Sequence, residues 1–172
     1  MVREKKTKAA FLVISLIAIA LSIADIFLPI PLQSVGIGSA SSFPNAFIYH
    51  FFHANIFHAI INVWCLLTIA FIYDAKAWQL ILGYVIASLI PGYLCCNTVT
   101  AQPTIGLSGI CFALMGLIIP NVKRKLYYNI CVFTFIAIGF LFPYVNASLH
   151  LRCYVVGLLV GFLNTPIHHE EA

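Results

Sequence analysis

The sequence predicts an all-α, polytopic membrane protein with six transmembrane helices. The chain of 172 residues is 62% hydrophobic and 8% charged, with a mean hydropathy of +1.02. Soluble domains carry about 25% charged residues, and a domain of this length cannot bury so much apolar surface in its core. The aromatic content of 14% excludes a disordered chain. The apolar residues also fall into six runs, separated by segments that contain polar residues or proline.

These six apolar runs define the predicted spans. The first, from Ala9 to Leu28, has about 20 residues, which at ~1.5 Å per residue cross a hydrocarbon layer of ~30 Å. It is longer than the apolar core of a cleavable signal peptide, so we expect it to remain as span 1. A loop rich in proline, glycine and serine follows, from Pro29 to about Tyr49. Spans 2 to 6 are predicted from His53 or Ala54 to Tyr73, from Ala77 to about Leu94, from about Ser108 to Pro120, from Leu126 to Phe142 and from about Ala147 to Leu163.

Basic residues predict the orientation of these spans. Six crossings place the N-terminus, the turns at 74–76 and 121–125, and the C-terminus on one side of the membrane. Eight of the nine Lys and Arg residues lie on that side: Arg3, Lys5, Lys6, Lys8, Lys76, Lys123, Arg124 and Lys125. The loops on the other side, 29–52, 95–107 and 143–146, contain none. By the positive-inside rule, both termini are cytoplasmic, in a plasma or inner cell membrane.

Composition also bounds the domain organisation and the partners. We expect one membrane domain over residues 1–172, with tails at 1–8 and 164–172 around a six-helix core at 9–163. The basic residues form short clusters and no basic face, which excludes nucleic acid as a partner and leaves the lipid bilayer. The sequence carries no signal for an oligomeric state. The cysteines are typical of apolar packing and not of a disulfide framework, since Cys65, Cys111, Cys131 and Cys153 lie inside apolar runs and Cys95 and Cys96 are adjacent.

Polar residues inside the apolar spans are costly and indicate candidate functional sites. His58 and Asn62 are four residues apart and share one face of span 2. Ser108 begins span 4 within a glycine-containing turn, and His150 lies near the start of span 6. Counting ~1.5 Å per residue from the inner ends of the helices places all four roughly 17–22 Å above the inner face. They are therefore predicted to share one layer of the membrane, below its outer surface.

Span 4 is too short to cross the membrane. Its length of about 20 Å reaches two-thirds of the way, so the segment before it must enter the membrane as irregular backbone. Such backbone is tolerated at membrane depth only against protein or a water-filled cavity. The sequence therefore predicts a water-filled pocket that opens to the outer side, with Ser108 at its floor.

Small residues predict that spans 4 and 6 pack closely together. Small side chains allow transmembrane backbones to approach each other, and this contact would bring His150 to Ser108, with Phe112 orienting the imidazole. At 100° per residue, the two packing faces are Ser108, Gly109, Phe112 and Gly116 on span 4, and His150, Cys153, Gly157 and Gly161 on span 6.

A serine beside a histidine in a wet pocket predicts nucleophilic acyl transfer. Serine requires an adjacent base, for which His150 is the nearest candidate. The free N–H groups at the start of span 4 can stabilise an oxyanion, and His58 and Asn62 can add side-chain donors. No acidic residue is predicted near His150, so the pair would act as a dyad. Each of these residues alone is also typical of ordinary helix packing.

Other functions have weaker support in the residues. Metal binding by His53, His58 and His150 lacks a His-Glu-x-x-His motif and a nearby carboxylate. A small-solute transporter of the inverted-repeat type lacks an internal repeat. We expect the remaining histidines, His50, His168 and His169, to be solvated.

Four segments carry these residues in a specific order and spacing. They are His53, His58 and Asn62 in the pattern His-x4-His-x3-Asn, Gly106-Leu107-Ser108-Gly109 in the pattern Gly-x-Ser-Gly, Ala113-Leu114-Met115-Gly116 after it, and His150 followed by the small residues Cys153 and Gly157. Together they resemble the rhomboid intramembrane serine proteases. The resemblance covers about residues 50–163.

The resemblance implies a role for each of the matching residues. Ser108 would be the nucleophile and His150 the general base. The oxyanion hole would be formed by His58, Asn62 and the N–H of Ser108, and the pocket would be lined by His53, Gly106 and Phe112. The resemblance further implies cleavage of the transmembrane segments of other membrane proteins, with no cofactor and no metal. The alternative is a catalytically inactive member of the family that binds transmembrane clients.

Overall fold

The computed structural model describes residues 2–38, 41–94 and 103–164 and is all-α. Most of the described residues are helical, and none of them forms a strand beyond one isolated bridge between Ile37 and Thr104. The six long helices are α1 (Val2–Phe27), α2 (Ile56–Phe71), α3 (Ala77–Leu94), α4 (Ser108–Leu117), α5 (Lys125–Gly139) and α6 (Ala147–Leu163). Short helical turns lie at Leu32–Val35, Asn45–Ile48, Tyr49–Phe51 and Ile119–Asn121.

Each of these six helices overlaps one predicted span. Helices α3 and α6 begin and end at the predicted residues, whereas α1 begins before its apolar run, at Val2. Helix α4 ends at Leu117, because Pro120 falls in the 3-10 turn that follows it. Helix α5 ends at Gly139, short of the predicted Phe142.

Helix length alone accounts for one or two of the six predicted spans. The segment Thr7–Phe27 of α1 is long and apolar enough to cross a membrane by itself. The segments Asn45–Phe51 and Ile56–Phe71 meet this standard only as a pair, which is bent by 94° at the break between them. The shorter apolar helices are Ala77–Ile90, Ser108–Leu117, Lys125–Gly139 and Ala147–Leu163.

Helix α4 forms the centre of the fold and packs most closely against α6. Glycines allow this contact, since a Cβ atom built on Gly116 would lie 2.3 Å from the carbonyl oxygen of Tyr154. A Cβ on Gly157 would lie 2.2 Å from the carbonyl oxygen of Ala113, and one on Gly161 would lie 2.9 Å from that of Leu117. The two backbones therefore touch along this line, where any side chain would force them apart.

Gly109 lies at the end of this contact next to Ser108 and differs from the other glycines of the predicted packing face. Its Cβ position lies 3.0 Å from the hydroxyl of Tyr49 and 3.3 Å from the Cβ of Ala87, but 3.8 Å from the Sγ of Cys153. Gly109 thus packs mainly against the first loop and α3. Cys153 is fully buried, and none of the four cysteines within the described ranges, Cys65, Cys111, Cys131 and Cys153, forms a disulfide. Cys95 and Cys96 lie outside those ranges.

The loop between α1 and α2 is folded tightly onto α3. The hydroxyl of Tyr49 donates to the carbonyl of Ala87 at 2.9 Å, and the ring of Tyr49 is fully buried. His50 is also fully buried, and its Nε2 is 3.0 Å from the Oγ of Ser88. The expectation that His50 is solvated is therefore wrong, because the loop packs inward instead of extending into water. His168 and His169 lie outside the described residues.

Candidate functional site

Ser108 and His150 meet where the N-terminal ends of α4 and α6 come together. The Nε2 of His150 is 2.9 Å from the Oγ of Ser108, which is hydrogen-bonding distance. The imidazole is buried, with 9% of its residue surface exposed, whereas Ser108 is half-buried. The structure thus brings together the two side chains that the sequence placed in one layer.

The start of α4 determines the position of Ser108. The first bond of the helix runs from the N–H of Cys111 to the carbonyl of Leu107 at 3.0 Å. The N–H groups before Cys111 therefore have no acceptor within their own helix, and they lie at the positive end of its dipole. The Ser108 N–H is among them, beside its own hydroxyl. This is a suitable position for donors to an oxyanion.

Gly106 makes the turn that leads into α4. Its φ of +108° lies in a region of backbone conformation that residues other than glycine rarely adopt. A Cβ here would lie 3.1 Å from the Cε1 of His58 and 3.3 Å from the Cδ2 of His53. The absence of a side chain at Gly106 therefore lets both imidazoles approach the backbone next to Ser108.

His150 is held by its own helix and by an aromatic ring. Asn146 precedes α6, and its side chain accepts a hydrogen bond from the N–H of Leu149 at 3.0 Å. The ring of Phe112 stacks on the imidazole with centroids 4.4 Å apart and an interplanar angle of 19°. The cap holds the start of the helix that carries His150, and the stacked ring restrains the plane of its imidazole.

The two side chains on α2 occupy different environments. Asn62 is buried, and its amide nitrogen donates to the carbonyl of His58 at 2.9 Å, which uses one of its two amide hydrogens. His58 is half-buried, and its Nδ1 accepts a long bond of 3.4 Å from the N–H of Ala54. The second amide hydrogen of Asn62 and the Nε2 of His58 are the groups that could serve as donors.

His53 lies just before α2, not within it, because the side chain of Asn55 caps the helix by accepting from the N–H of His58. The prediction that the helix of span 2 begins at His53 or Ala54 is wrong by two or three residues, since α2 begins at Ile56. The Nε2 of His53 accepts a hydrogen bond from the N–H of Leu107 at 3.3 Å. His53 therefore holds the backbone next to Ser108, a contact that sequence spacing did not indicate.

Further residues that sequence reasoning missed hold the loop before Ser108. The carbonyl of Tyr49 accepts from the N–H of Gly106 at 3.0 Å. Thr104 exchanges two backbone bonds with Ile37, of 2.9 and 2.8 Å, and its Oγ1 accepts from the side chain of Asn146 at 2.9 Å. These contacts join residues between 42 and 67 positions apart in the chain, so no periodicity could reveal them.

Two acidic residues of the described segments, Asp25 and Asp74, are bound away from the site. The carboxylate of Asp25 accepts from the N–H of Ile30 at 2.7 Å. Asp74 pairs with Lys76 in the turn between α2 and α3, and this hydrogen bond lowers the pKa of the Asp74 carboxyl below its usual range. No group of three His, Cys, Asp or Glu side chains in the described ranges could hold a metal ion.

Comparison with known families adds one finding. A family model for the rhomboid domain matches residues 40–170, which is well over half of the chain. The match begins before the buried turn at Tyr49–Phe51 and extends past the end of α6. No curated protein matches the chain closely enough to count as a relative.

Proposed function

This chain belongs to the rhomboid family of membrane proteins, and on that premise we propose that it is an intramembrane serine endopeptidase. It would cleave the transmembrane segments of other membrane proteins through a dyad of Ser108 and His150. The observation that supports this proposal most directly is the 2.9 Å separation of the Ser108 Oγ and the His150 Nε2. A serine hydroxyl is a weak nucleophile unless such a base takes its proton.

The dyad would work in two steps. The Oγ of Ser108 attacks the scissile carbonyl while its proton moves to the Nε2 of His150, which requires that the other ring proton is on Nδ1. The tetrahedral intermediate collapses to an acyl-enzyme, and His150 gives the proton to the leaving amine. A water molecule, deprotonated by the same nitrogen, then releases the acyl group and restores Ser108. The chain itself supplies every group in these steps, so the proposal includes no cofactor.

Phe112 takes over the orienting task that a carboxylate has in a triad. A stacked ring can fix the plane of the imidazole but cannot stabilise its positive charge as an anion would. The centroid distance of 4.4 Å and the interplanar angle of 19° are those of a stacked pair, so Phe112 restrains the plane of the imidazole. We therefore expect a slower enzyme than a triad protease, with the base positioned by packing.

The oxyanion would be stabilised mainly by the start of α4. The N–H of Ser108 has no acceptor within its helix, and the helix dipole favours negative charge at this end. The free amide hydrogen of Asn62 and the ring of His58 are the additional donors that we propose from α2. Removal of one such donor typically lowers kcat about 100-fold.

We further propose that all six long helices cross the membrane, with both termini in the cytoplasm and the site open to the outer side. The distribution of lysine and arginine supports this orientation, since the predicted outer loops contain neither residue. The short α4 supports a pocket that water reaches from outside, lined in part by His53, Gly106 and Phe112. A transmembrane substrate would have to unwind locally to place its peptide bond at Ser108.

Labelling with a serine-directed fluorophosphonate probe tests the proposed chemistry. In detergent or in proteoliposomes, the probe should modify the unaltered protein, and Ser108→Ala should abolish the label. His150→Gln should lower the labelling rate by about 100-fold or more, because the serine loses its base. Ser148→Ala, which makes the same change on α6 two residues from His150, should label normally.

A cleavage assay separates the enzyme from its non-enzymatic alternative. The protein is reconstituted with a transmembrane substrate, and Ser108→Ala should stop cleavage. Cleavage that persists in Ser108→Ala contradicts the nucleophile assignment. A protein that takes no label but binds a transmembrane client equally well with and without Ser108 is an inactive member of the family, and the proposal is then wrong.

A further inference from the structure

We propose that Asn146 and Thr104 form a positioning link that sets the geometry of the dyad from its outer side. This inference rests on the proposed function, because it assigns the link a task in the same reaction. The side-chain Nδ2 of Asn146 donates to the Oγ1 of Thr104 at 2.9 Å. Asn146 precedes α6, the helix that carries His150. Thr104 precedes α4, the helix that begins with Ser108.

Asn146 uses both ends of its side-chain amide. Its Oδ1 accepts from the N–H of Leu149 at 3.0 Å, and its backbone carbonyl accepts from the N–H of His150 at 3.1 Å. The residue is thus bound to the first turn of α6 by two bonds. The other polar atom of its side chain, Nδ2, donates to the Oγ1 of Thr104. Any displacement of Asn146 would therefore be passed to the backbone of His150 within one helical turn.

Thr104 is equally fixed on its own side. It exchanges backbone bonds of 2.9 and 2.8 Å with Ile37 in the first loop. Gly36, the residue before Ile37, is also held by a hydrogen bond, because the side chain of Asn45 donates to its carbonyl at 2.9 Å. Gly36 also lies against Pro103, whose Cβ would be 2.6 Å from a Cβ built on the glycine. The Oγ1 of Thr104 therefore offers Asn146 an acceptor on a backbone that is held from two sides.

The link and the glycine contact lie on opposite sides of the dyad. Along α4 and α6, the contact between Gly157 and Ala113 comes after Ser108 and His150 in the chain. The link between Thr104 and Asn146 comes before both. The dyad is thus held between two connections. Loss of the bond between Thr104 and Asn146 would allow the starts of α4 and α6 to separate, although the two helices would still pack at their glycines.

This arrangement should affect the chemical step more than substrate binding. Proton transfer from Ser108 to His150 requires a short, aligned contact, and a misplacement of ~1 Å can cost about 100-fold in rate. Thr104 and Asn146 are half-buried, and their bonds go to each other and to backbone groups. We therefore expect kcat to fall without a matching change in KM when the link is broken.

Variants of Thr104 test the link with a matched set. Thr104→Val keeps the branched shape and removes the oxygen, and we expect kcat and the fluorophosphonate labelling rate to fall roughly tenfold with KM within about twofold. Thr104→Ser keeps the oxygen and should restore most of both rates. Thr134→Val is the control, because that hydroxyl bonds only within α5, to the carbonyl of Ile130 at 2.8 Å, and the change should leave both rates as they are.

Asn146 provides the second half of the experiment. Asn146→Ser retains a helix-capping oxygen but is too short to reach Thr104, so it should lower kcat about as much as Thr104→Val. The double variant should be no slower than either single one, since all three lack the same bond. The melting temperatures of the unaltered protein, the two single variants and the double variant show whether a loss of kcat comes from unfolding instead.

The outcomes distinguish this inference from the proposed function. Normal kcat in Thr104→Val, an equal fall in Thr104→Ser, or additive losses in the double variant each overturn the link. A fall in kcat that follows the fall in melting temperature across the set also overturns it, because the bond is then only structural. If the unaltered protein takes no label, the proposed function itself fails. A labelled protein with a normal Thr104→Val variant refutes the link alone.

Discussion

The two sides of the dyad are held by different kinds of contact. Below it, α4 and α6 touch backbone to backbone, with the Gly157 Cα facing the carbonyl of Ala113. Above it, the irregular segment from Pro103 to Leu107 is held by hydrogen bonds that come from the first loop, from His53 and from Asn146. One side depends on the absence of side chains and the other on the presence of particular ones.

The difference follows from what each backbone requires inside a membrane. A helix satisfies its own backbone polar groups, so two helices need only small residues in order to pack closely. An irregular segment does not, and each unpaired N–H or carbonyl would be costly to bury. The loop before Ser108 therefore needs partners from elsewhere in the chain. We expect the lower side to be sensitive to added volume and the upper side to lost hydrogen bonds.

The largest effect is expected from Gly157→Ala, which tests the lower side. The added Cβ would lie 2.2 Å from the carbonyl oxygen of Ala113, on a backbone that cannot move aside alone. We expect a loss of stability on the order of 3 kcal/mol, measured as a lower denaturation midpoint in micelles, and a strong loss of probe labelling. Gly83→Ala is the control, because its Cβ would lie 3.1 Å from the Cγ of Leu114 and 3.5 Å from the nearest backbone atom, the carbonyl oxygen of Ile110. Equal stability of the two variants would contradict the close packing of α4 and α6.

A smaller effect is expected from Gly106→Ala, at the boundary between the two sides. The φ of +108° would cost an alanine about 2 kcal/mol, and its Cβ would press on the rings of His53 and His58. Because this strain acts next to Ser108, the labelling rate should fall more than stability does. Gly38→Ala, in the first loop with nothing within 4 Å of its Cβ, should change neither. A Gly106→Ala variant that labels at the normal rate would show that this turn does not position the serine.

The smallest effect is expected from Tyr49→Phe, which tests the upper side by removing one hydroxyl. The bond to the carbonyl of Ala87 is lost, but the backbone bond from Gly106 to Tyr49 remains. We expect the free energy of unfolding to fall by about 1 kcal/mol. The labelling rate should also fall, but by less than in Thr104→Val. A Tyr49→Phe variant that is slower than Thr104→Val would mean that the first loop acts on the dyad through α3 and not through the segment before Ser108.

The two sides also differ in how much the sequence reveals. The small residues of α4 and α6 recur at helical spacing, and with the shared depth of Ser108 and His150 they indicated which helices meet. The bounds of α3 and α6 followed from hydrophobic runs that end at polar residues or proline. The family resemblance indicated the same residues through their order and spacing. Whether Ser108 and His150 are catalytic stays a prediction until the labelling experiment is done.

The first loop shows what such patterns miss. His50 was expected in water and is fully buried against Ser88, and His53 binds the backbone of Leu107 instead of beginning a helix. The role of Asn62 as an oxyanion donor stays a prediction, since its bond to the carbonyl of His58 uses one of its two amide hydrogens. Loop residues have no periodic constraint, so their partners could not be read from spacing.

The sequence by itself determined the class of protein, the helices and the residues that one helical face presents, because hydrophobicity and the 3.6-residue period act locally along the chain. Only the tertiary structure decided how the segment before Ser108 is held. Its partners Ile37, Tyr49 and Asn146 lie far away in the chain, and they were selected by the need of an irregular, buried backbone for hydrogen bonds.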